Sequence, residues 1–190
     1  MPLQVPKKIG PPTVLAKKFG KALISQQFSK PGKPGEEIEF CLFDWPVIPS
    51  IVMPVTKNGE VVAVKQFRYG ANRVIIEFPG GNPKPGQTSE DVAFAEVEEE
   101  TGYKVGELMS LAPPIYFEPA FMVAPYQPFL ARYCTPTGKQ KLDPEEYLEV
   151  MKVPLREWIQ MIRRGAVQDS KTIAMTFLAL RHLGVEFKFS

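Results

Sequence analysis

Residues 80–103 read GGNPKPGQTSEDVAFAEVEEETGY and combine a proline-rich loop with a helical pattern. The prolines and glycines of the first half exclude regular structure, and the run that follows predicts a helix over about 89–101. Thr88 is a suitable N-cap for this helix, and Gly102 stands where a left-handed residue would end it. The segment therefore predicts a loop that leads into one capped helix.

Three glutamates lie on one flank of the predicted helix. At about 100° per residue, Glu96, Glu99 and Glu100 fall within roughly 100° of arc, whereas Glu98 points to solvent. Like charges at this spacing destabilise a helix by a few tenths of a kcal/mol per pair, and a divalent cation offsets that repulsion. The same pattern is also typical of an ordinary acidic solvent face. An apolar stripe occupies the neighbouring flank and consists of Ala93, Phe94, Val97 and Thr101.

The rest of the chain predicts strands first and helices last. Residues 37–45 and 73–78 have strand patterns, and residues 50–70 contain Asn58-Gly59, a hairpin signal of the type I′ turn. The later elements are, in order, strands or extended segments within 105–119 and 126–134, a charged loop at 139–146, a strand at 147–154 and amphipathic helices at 155–165 and 170–184. This order predicts an α+β fold in which a mixed sheet is sandwiched between α-helices.

Composition narrows the classes of function. The chain has 23 basic and 21 acidic residues, so it lacks the basic excess typical of a protein that binds nucleic acid. No apolar run approaches the roughly 20 residues of a membrane helix, and the N-terminus does not resemble a signal peptide. The single histidine, His182, and the separated Cys41 and Cys134 cannot form a His/Cys zinc site. We expect a reduced, cytoplasmic protein whose metal chemistry depends on carboxylates.

The 80–103 segment resembles the Nudix box, G-x5-E-x7-R-E-U-x-E-E-x-G-U, in which U is apolar. The matching positions are Gly81, Glu96, Val97, Glu99, Glu100, Gly102 and Tyr103. Gln87 stands where the family has its first glutamate, and Ala95 stands where it has arginine. These two family residues typically form a structural ion pair, so their joint replacement removes the pair without leaving an orphaned charge.

The resemblance implies a metal site and a family of substrates. Glu96, Glu99 and Glu100 would bind Mg²⁺, with Mn²⁺ as the other candidate, and the carbonyl of Gly80 would be a further ligand. The wider context is similar to the ADP-ribose and nucleoside-diphosphate-sugar pyrophosphatases over roughly residues 37–185. In that subgroup a small N-terminal β-sheet domain exchanges with a second subunit, which implies a homodimer. We therefore predict a dimerisation segment at 1–50 and a catalytic domain at 51–190.

Several residues outside the box acquire roles from the same resemblance. Arg68, in VVAVKQFRYG ahead of EFPGG, would contact the substrate, although it also fits a surface arginine at a strand end. Pro119 lies sixteen residues after Tyr103, where the subgroup has a proline, but this chain has 20 prolines and lacks the usual serine and glycines around it. Trp45 and Phe43 could stack on a nucleobase or could belong to the core.

The predicted reaction is hydrolysis of the pyrophosphate bond of a nucleoside diphosphate sugar such as ADP-ribose, which gives NMP and a sugar phosphate. Glu146, with its neighbour Glu145, is the candidate general base, and the alternative is that both lie in a solvated loop. Glu99 is assigned a catalytic as well as a metal-binding role. One competing substrate class is another diphosphate, such as a GDP-sugar, a dinucleotide or capped RNA. A non-catalytic ligand-binding module is the other alternative, and Gln87 and Ala95 favour it.

Overall fold

The computed structural model of the chain describes residues 3–142 and 146–185, and these residues form two units. The first comprises the chain up to Val47 together with Tyr116–Pro125. The second comprises Ile48–Ile115 and the residues from Tyr126 onward. The 116–125 segment thus belongs to the N-terminal unit although it is far away in sequence.

The first unit contains a three-stranded antiparallel sheet. Its strands lie in the order β1-β2-β3 and span Lys8–Lys18, Lys21–Ser29 and Glu37–Asp44. The third strand confirms the prediction for this stretch, and the sheet confirms the small N-terminal β-sheet that the family resemblance implied.

The sequence pattern itself did not assign strands β1 and β2. Strand β1 contains Pro11 and Pro12, and every residue along it is exposed, so it shows no alternation of buried and exposed positions. It is an edge strand, where proline is tolerated, and its pairing slips between Ile9 and Thr13. Tertiary pairing with β2 therefore overrides a sequence that looks unfavourable for a strand.

As far as the structure describes the chain, the second unit is built around a mixed sheet of nine strands with three α-helices. The elements of this unit are β4 (Ser50–Thr56), β5 (Glu60–Arg68), β6 (Arg73–Glu77), β7 (Gly80–Gly81), α1 (Ser89–Thr101), β8 (Tyr103–Lys104), β9 (Glu107–Ser110), β10 (Ile115–Tyr116), β11 (Pro125–Pro136), β12 (Leu148–Pro154), α2 (Leu155–Arg163), α3 (Ser170–Leu180) and a 3-10 helix (Arg181–Leu183). The main path of the sheet runs β10-β11-β4-β5-β12, with β6 beside β5, β7 beside β4, and β8 and β9 beside β11. Strand β11 is parallel to β4, and β12, β6 and β7 are antiparallel to their neighbours, so the predicted mixed sheet is confirmed.

Helix α1 begins and ends as predicted. Thr88 and Asp91 form a reciprocal capping box, and Gly102 ends the helix with φ of 69°. Glu98 is exposed, as expected. The prediction for Phe94 was wrong: it is 47% exposed, and the buried face of the helix is made instead by Val92, Ala93, Val97, Glu100 and Thr101.

Packing of α1 on the sheet fixes the position of the box. Ala93 and Val97 are fully buried against Val52 of β4 and Phe129 of β11 in one core cluster. Complete burial of a side chain of this kind stabilises the fold by about 1.5–3 kcal/mol. The Ser50 hydroxyl also donates to the carbonyl of Ser89 across 2.8 Å, which holds the start of the helix against the start of β4.

The predicted type I′ hairpin turn was also wrong. The amide of Gly59 donates to the carbonyl of Thr56, and Gly59 alone in this turn has a positive φ, of 75°. A type I′ turn centred on Asn58-Gly59 requires a positive φ at Asn58 as well, which Asn58 does not have; the central residues are Lys57 and Asn58, in a type I turn that is followed by a left-handed glycine. None of the helices in the described ranges is long and apolar enough to cross a bilayer.

Candidate active site

Two adjacent glycines bring the loop against helix α1. Gly80 and Gly81 form the short strand β7 and pair with Ile51 and Ser50 of β4. A Cβ on Gly81 would overlap the carboxylate of Glu96, and a Cβ on Gly80 would overlap the backbone of β4. Glycine is therefore required at Gly80 for close approach of the backbones, and at Gly81 it leaves room for the present position of the Glu96 carboxylate.

The Gly80 amide donates to the carboxylate of Glu100, with 3.1 Å between N and Oε2. Glu100 is only 4% exposed. Burial, with the negative charges of Glu96 and Glu146, raises the pKa of this carboxyl to about 8, while the Gly80 hydrogen bond and the charge of Arg68 act in the opposite direction. The structure thus brings together four of the predicted site residues around Glu100.

Glu99 is half-buried and lies where α1 meets the chain that leads to Glu146. Its backbone carbonyl accepts a hydrogen bond from the amide of Lys141 across 2.9 Å, and Gln140 donates through Nε2 to the carbonyl of Glu100 across 2.7 Å. These contacts satisfy carbonyls at the end of the helix and hold the start of the acidic loop next to it. Glu145 lies outside the described residues.

Arg68 is held by a residue that the sequence analysis missed. Its Nε donates to Oε1 of Glu77 across 2.5 Å, and Glu77 is 3% exposed. A buried carboxylate is costly unless it is paired, so this contact stabilises both partners in one arrangement. The available signal was an acidic residue at the end of the apolar strand Val74-Ile75-Ile76, directly before the turn that carries the glycines.

Gln87 closes the loop in place of the family's first glutamate. Its side-chain oxygen accepts a hydrogen bond from the Lys84 amide across 2.8 Å, and its own amide donates to the Lys84 carbonyl across 3.0 Å. Ala95 is half-buried. The neutral side chain thus keeps a local hydrogen bond that stabilises the turn without an ion pair.

The remaining predicted substrate residues lie in the first unit. Trp45 stacks on Phe117 with 5.9 Å between ring centroids and 7° between planes, and Lys21 Nζ lies 4.2 Å from the Trp45 centroid. Phe43 is half-buried in β3 and pairs through its backbone with the 121–123 segment. Pro119 is exposed in the turn that precedes this segment.

The donor atoms of the second unit suit a hard divalent cation. Glu96, Glu100 and Glu146 supply carboxylate oxygens, the ligands that Mg²⁺ and Mn²⁺ prefer, and Gly81 leaves room for the Glu96 carboxylate. Within residues 3–142 and 146–185, no three His, Cys, Asp or Glu side chains already converge on one metal position. The residues fit such an ion by their chemistry, and we expect their side chains to turn when it binds.

Comparison with known proteins places this fold and site in a family. Residues 46–175 match the NUDIX domain model. The ADP-ribose pyrophosphatase of Bacillus subtilis (strain 168) is 36% identical over 132 residues, which cover 68% of this chain and 71% of that protein. The GDP-mannose pyrophosphatase of Escherichia coli (strain K12) is 29% identical over 149 residues, which cover 70% and 74%.

A solved structure shows the same fold over nearly the whole chain. The crystal structure of an ADP compounds hydrolase superposes with a TM-score of 0.81, 16% sequence identity, and coverage of 97% of this chain and 98% of that one. The family match, the 36% identity and the geometry of α1 agree. The chain belongs to the Nudix hydrolase family and is related to the ADP-ribose and GDP-mannose pyrophosphatases.

Proposed function

We propose that the protein is a metal-dependent pyrophosphohydrolase that cleaves a nucleoside diphosphate sugar such as ADP-ribose into NMP and a sugar phosphate. The observation that carries this proposal is the group of charges around the buried Glu100: Glu96 and Glu146 on the negative side, and Arg68 on the positive side. Such a group can hold a cation, face an anionic diphosphate and accept a proton within one site.

Glu96, Glu99 and Glu100, with the carbonyl of Gly80, would hold the divalent cation. When bound, Mg²⁺ or Mn²⁺ supplies Lewis-acid neutralisation of the phosphate charge. The Gly80 hydrogen bond fixes the Glu100 carboxylate, and the absence of a Cβ on Gly81 leaves space for that of Glu96. The glycine turn therefore sets the positions of two of these carboxylates.

Glu146 acts as general base in this proposal, with Glu145 as the alternative. The carboxylate accepts a proton from the attacking water, the water oxygen bonds to one phosphorus, and the bridging P–O bond breaks to give two phosphate monoesters. The influence of Glu146 on the pKa of Glu100 supports its nearness to the reaction. Arg68 clamps a phosphate, since its guanidinium has donors beyond the Nε that Glu77 engages.

Trp45 and Phe43 provide the surface for the nucleobase, with Pro119 in the adjoining segment. The Trp45–Phe117 pair offers an aromatic stack that a base could extend. This role supports a nucleoside diphosphate as substrate, and the ADP-ribose pyrophosphatase relative supports adenine as the base. The GDP-mannose relative favours a GDP-sugar as the second candidate.

The proposal also includes a homodimer formed through the N-terminal segment, residues 1–50, beside a catalytic domain at 51–190. Exposed apolar side chains on the three-stranded sheet support it, among them Val14 at 56%, Leu15 at 51% and Phe40 at 44% exposure. A reducing cytoplasmic location is proposed as well, since Cys41 is free and exposed.

Turnover of a panel of nucleoside diphosphate sugars tests the function. The released monoesters are converted to inorganic phosphate by a coupling phosphatase, with Mg²⁺, with Mn²⁺ and with EDTA. Cation-dependent release from ADP-ribose supports the proposal, and preferential release from a GDP-sugar favours the second candidate. If no phosphate is released from any substrate of the panel by protein that still binds ADP-ribose, the protein is a binding module, and Gln87 and Ala95 are the leading explanation.

A further inference from the structure

A polar cleft lies in the second unit, away from the glutamate cluster of the candidate active site, which consists of Glu96, Glu99, Glu100 and Glu146. It has a volume of about 300 Å³ and lies between the β4–β5 turn, the bulged part of β11 and the 3-10 helix after α3. Thr56 at the end of β4 lines the cleft, whereas Ser50 at the start of the same strand pairs with the glycine turn. Six residues of extended chain separate these ends by about 20 Å.

The polar side chains that line this cleft are hydrogen-bond donors. Arg132 donates from Nη2 to the Tyr133 hydroxyl across 2.6 Å, and its Cζ lies 4.9 Å from the centroid of the Tyr133 ring. Since that hydroxyl oxygen accepts, its own proton remains available to another acceptor. Arg132 also forms an ion pair with Glu107, in which Nη1 and Oε2 lie 3.8 Å apart, a separation beyond hydrogen-bond distance.

His182 and Lys57 complete the donor set. Nε2 of His182 accepts from Nε of Arg181 across 2.9 Å, so the ring proton of the neutral imidazole lies on Nδ1, which is then a donor. Lys57 contributes an exposed ammonium group from the β4–β5 turn. Among the described residues, no carboxylate lines the cleft. A ligand that suits these walls must therefore be anionic and rich in acceptors.

The backbone around Tyr133 departs from regular strand geometry. The pairing of β11 with β4 slips between Ala131 and Cys134, and Tyr133 within this bulge has a positive φ of 56°. A bulge of this kind turns side chains away from the ordinary alternation of a strand. It places the successive residues Arg132 and Tyr133 on the same cleft, where regular strand geometry would send them to opposite faces.

We propose that this cleft is a binding site for a phosphate dianion, either free or carried as the monoester of a small metabolite. The planar guanidinium and the ammonium match a doubly charged group, and the hydroxyl and imidazole protons match its remaining oxygens. The volume exceeds what a phosphate group alone occupies, which leaves room for an organic moiety. The site is separate from the glutamate cluster and does not depend on cleavage chemistry.

Titration of the intact protein with inorganic phosphate and with ribose 5-phosphate, followed by amide NMR shifts, tests this site. EDTA is kept present, because the metal-free glutamate cluster repels anions and the catalytic site then contributes little. We expect saturable shifts at residues of the β4–β5 turn and β11. Arg132→Gln and Lys57→Gln should each weaken binding at least fivefold. The matched control is Arg156→Gln, which changes an exposed arginine on α2.

Tighter binding of ribose 5-phosphate than of phosphate identifies a phosphorylated metabolite as the ligand, and equal binding identifies free phosphate. Shifts that sodium chloride reproduces at the same ionic strength would reflect screening and would overturn the proposal. It also fails if binding survives in both cleft variants or is lost equally in Arg156→Gln.

Discussion

Arg68 and Glu77 form an ion pair in which Nε and Oε1 lie 2.5 Å apart, and the Glu77 side chain is 4% exposed while the arginine side chain is 49% exposed. The pair joins neighbouring strands, since Val64 of β5 is the register partner of Glu77 and Arg73 that of Arg68. A buried carboxylate thus orients a half-exposed guanidinium whose charge also acts on Glu100. The orientation of Arg68 depends on the charge of Glu77.

Glu77→Gln should therefore reduce kcat/KM at least tenfold, because Arg68 loses the charge that orients it toward the substrate. The measurement is steady-state turnover of the preferred diphosphate sugar, together with the double variant that also carries Arg68→Gln. We expect the double variant to be little worse than Arg68→Gln alone, since the two residues act as one unit. Glu149→Gln is the control, because Glu149 pairs with Lys65 at 2.9 Å but is 71% exposed. Fully additive losses would contradict the orienting role.

Glu100 gives the metal-free protein a pH dependence of stability. Its pKa is about 8 in the folded state and about 4.5 when unfolded, so between these values the folded state holds a proton that the unfolded state releases. The free energy of unfolding therefore decreases as pH rises from about 4.5 to about 8. Glu100→Gln removes this contribution because the amide does not titrate.

We expect Glu100→Gln to raise the Tm of the EDTA-treated protein by several degrees near pH 8, and by much less near pH 5. The same substitution should abolish metal-dependent turnover. Thermal melts across this pH range check the slope, with Glu98→Gln as the control because Glu98 is exposed on the same helix. If the Tm values of the wild type and of Glu100→Gln change with pH in parallel, Glu100 is charged in the folded state at all these pH values.

Gly81→Ala should reduce metal-dependent turnover much more than it reduces stability. The added methyl group would overlap the Glu96 carboxylate, which is the end of a flexible side chain and can move away. We expect a modest loss of stability and at least a tenfold loss of metal-dependent turnover, because Glu96 leaves its position beside the turn. The matched control is Gly70→Ala, since a Cβ on Gly70 meets no atom within 4 Å and its φ is not positive. Equal activity of the two variants would show that the space that Gly81 leaves for the Glu96 carboxylate does not matter for turnover.

Most features of helix α1, but not all, could be predicted from the sequence. Helix α1 was predictable because its signals are local: Thr88 and Asp91 form the cap within one turn, and Gly102 supplies the left-handed end. The exposure of Phe94 was not predictable, because periodicity gives the direction of a helix face but not the width of the surface that covers this face. Phe94 is 47% exposed, whereas Val92, on the other side of the helix face, is buried.

Long-range relationships were beyond local patterns. Glu77 appears in the sequence as one charged residue in a strand, and only the pairing of β5 with β6 reveals that it is buried against Arg68. The 116–125 segment likewise pairs with Phe43 across more than seventy residues. Whether Trp45, Phe43 and Pro119 bind a base remains a prediction from family resemblance.

Val14→Asp should disrupt the proposed homodimer. Val14 is 56% exposed on strand β1, and a charge at this position opposes burial of the apolar sheet in an interface. Light scattering after size-exclusion chromatography should show a dimer for the wild type and a monomer for the variant. Lys17→Asp, on the same exposed strand, is the control for charge alone. A wild-type monomer at micromolar concentration would refute the dimer itself.

Glu146→Gln tests the general base by two independent readouts. Loss of the proton acceptor should lower kcat by about 10²–10⁴-fold and leave KM nearly unchanged. Because the charge of Glu146 raises the pKa of Glu100, the substitution should also shift the pH-dependent loss of stability in EDTA to lower pH. Glu149→Gln again serves as control, three residues along the chain and exposed. If kcat is retained while the stability profile shifts, Glu146 lies beside Glu100 without being the base, and Glu145→Gln becomes the variant in which turnover should fall.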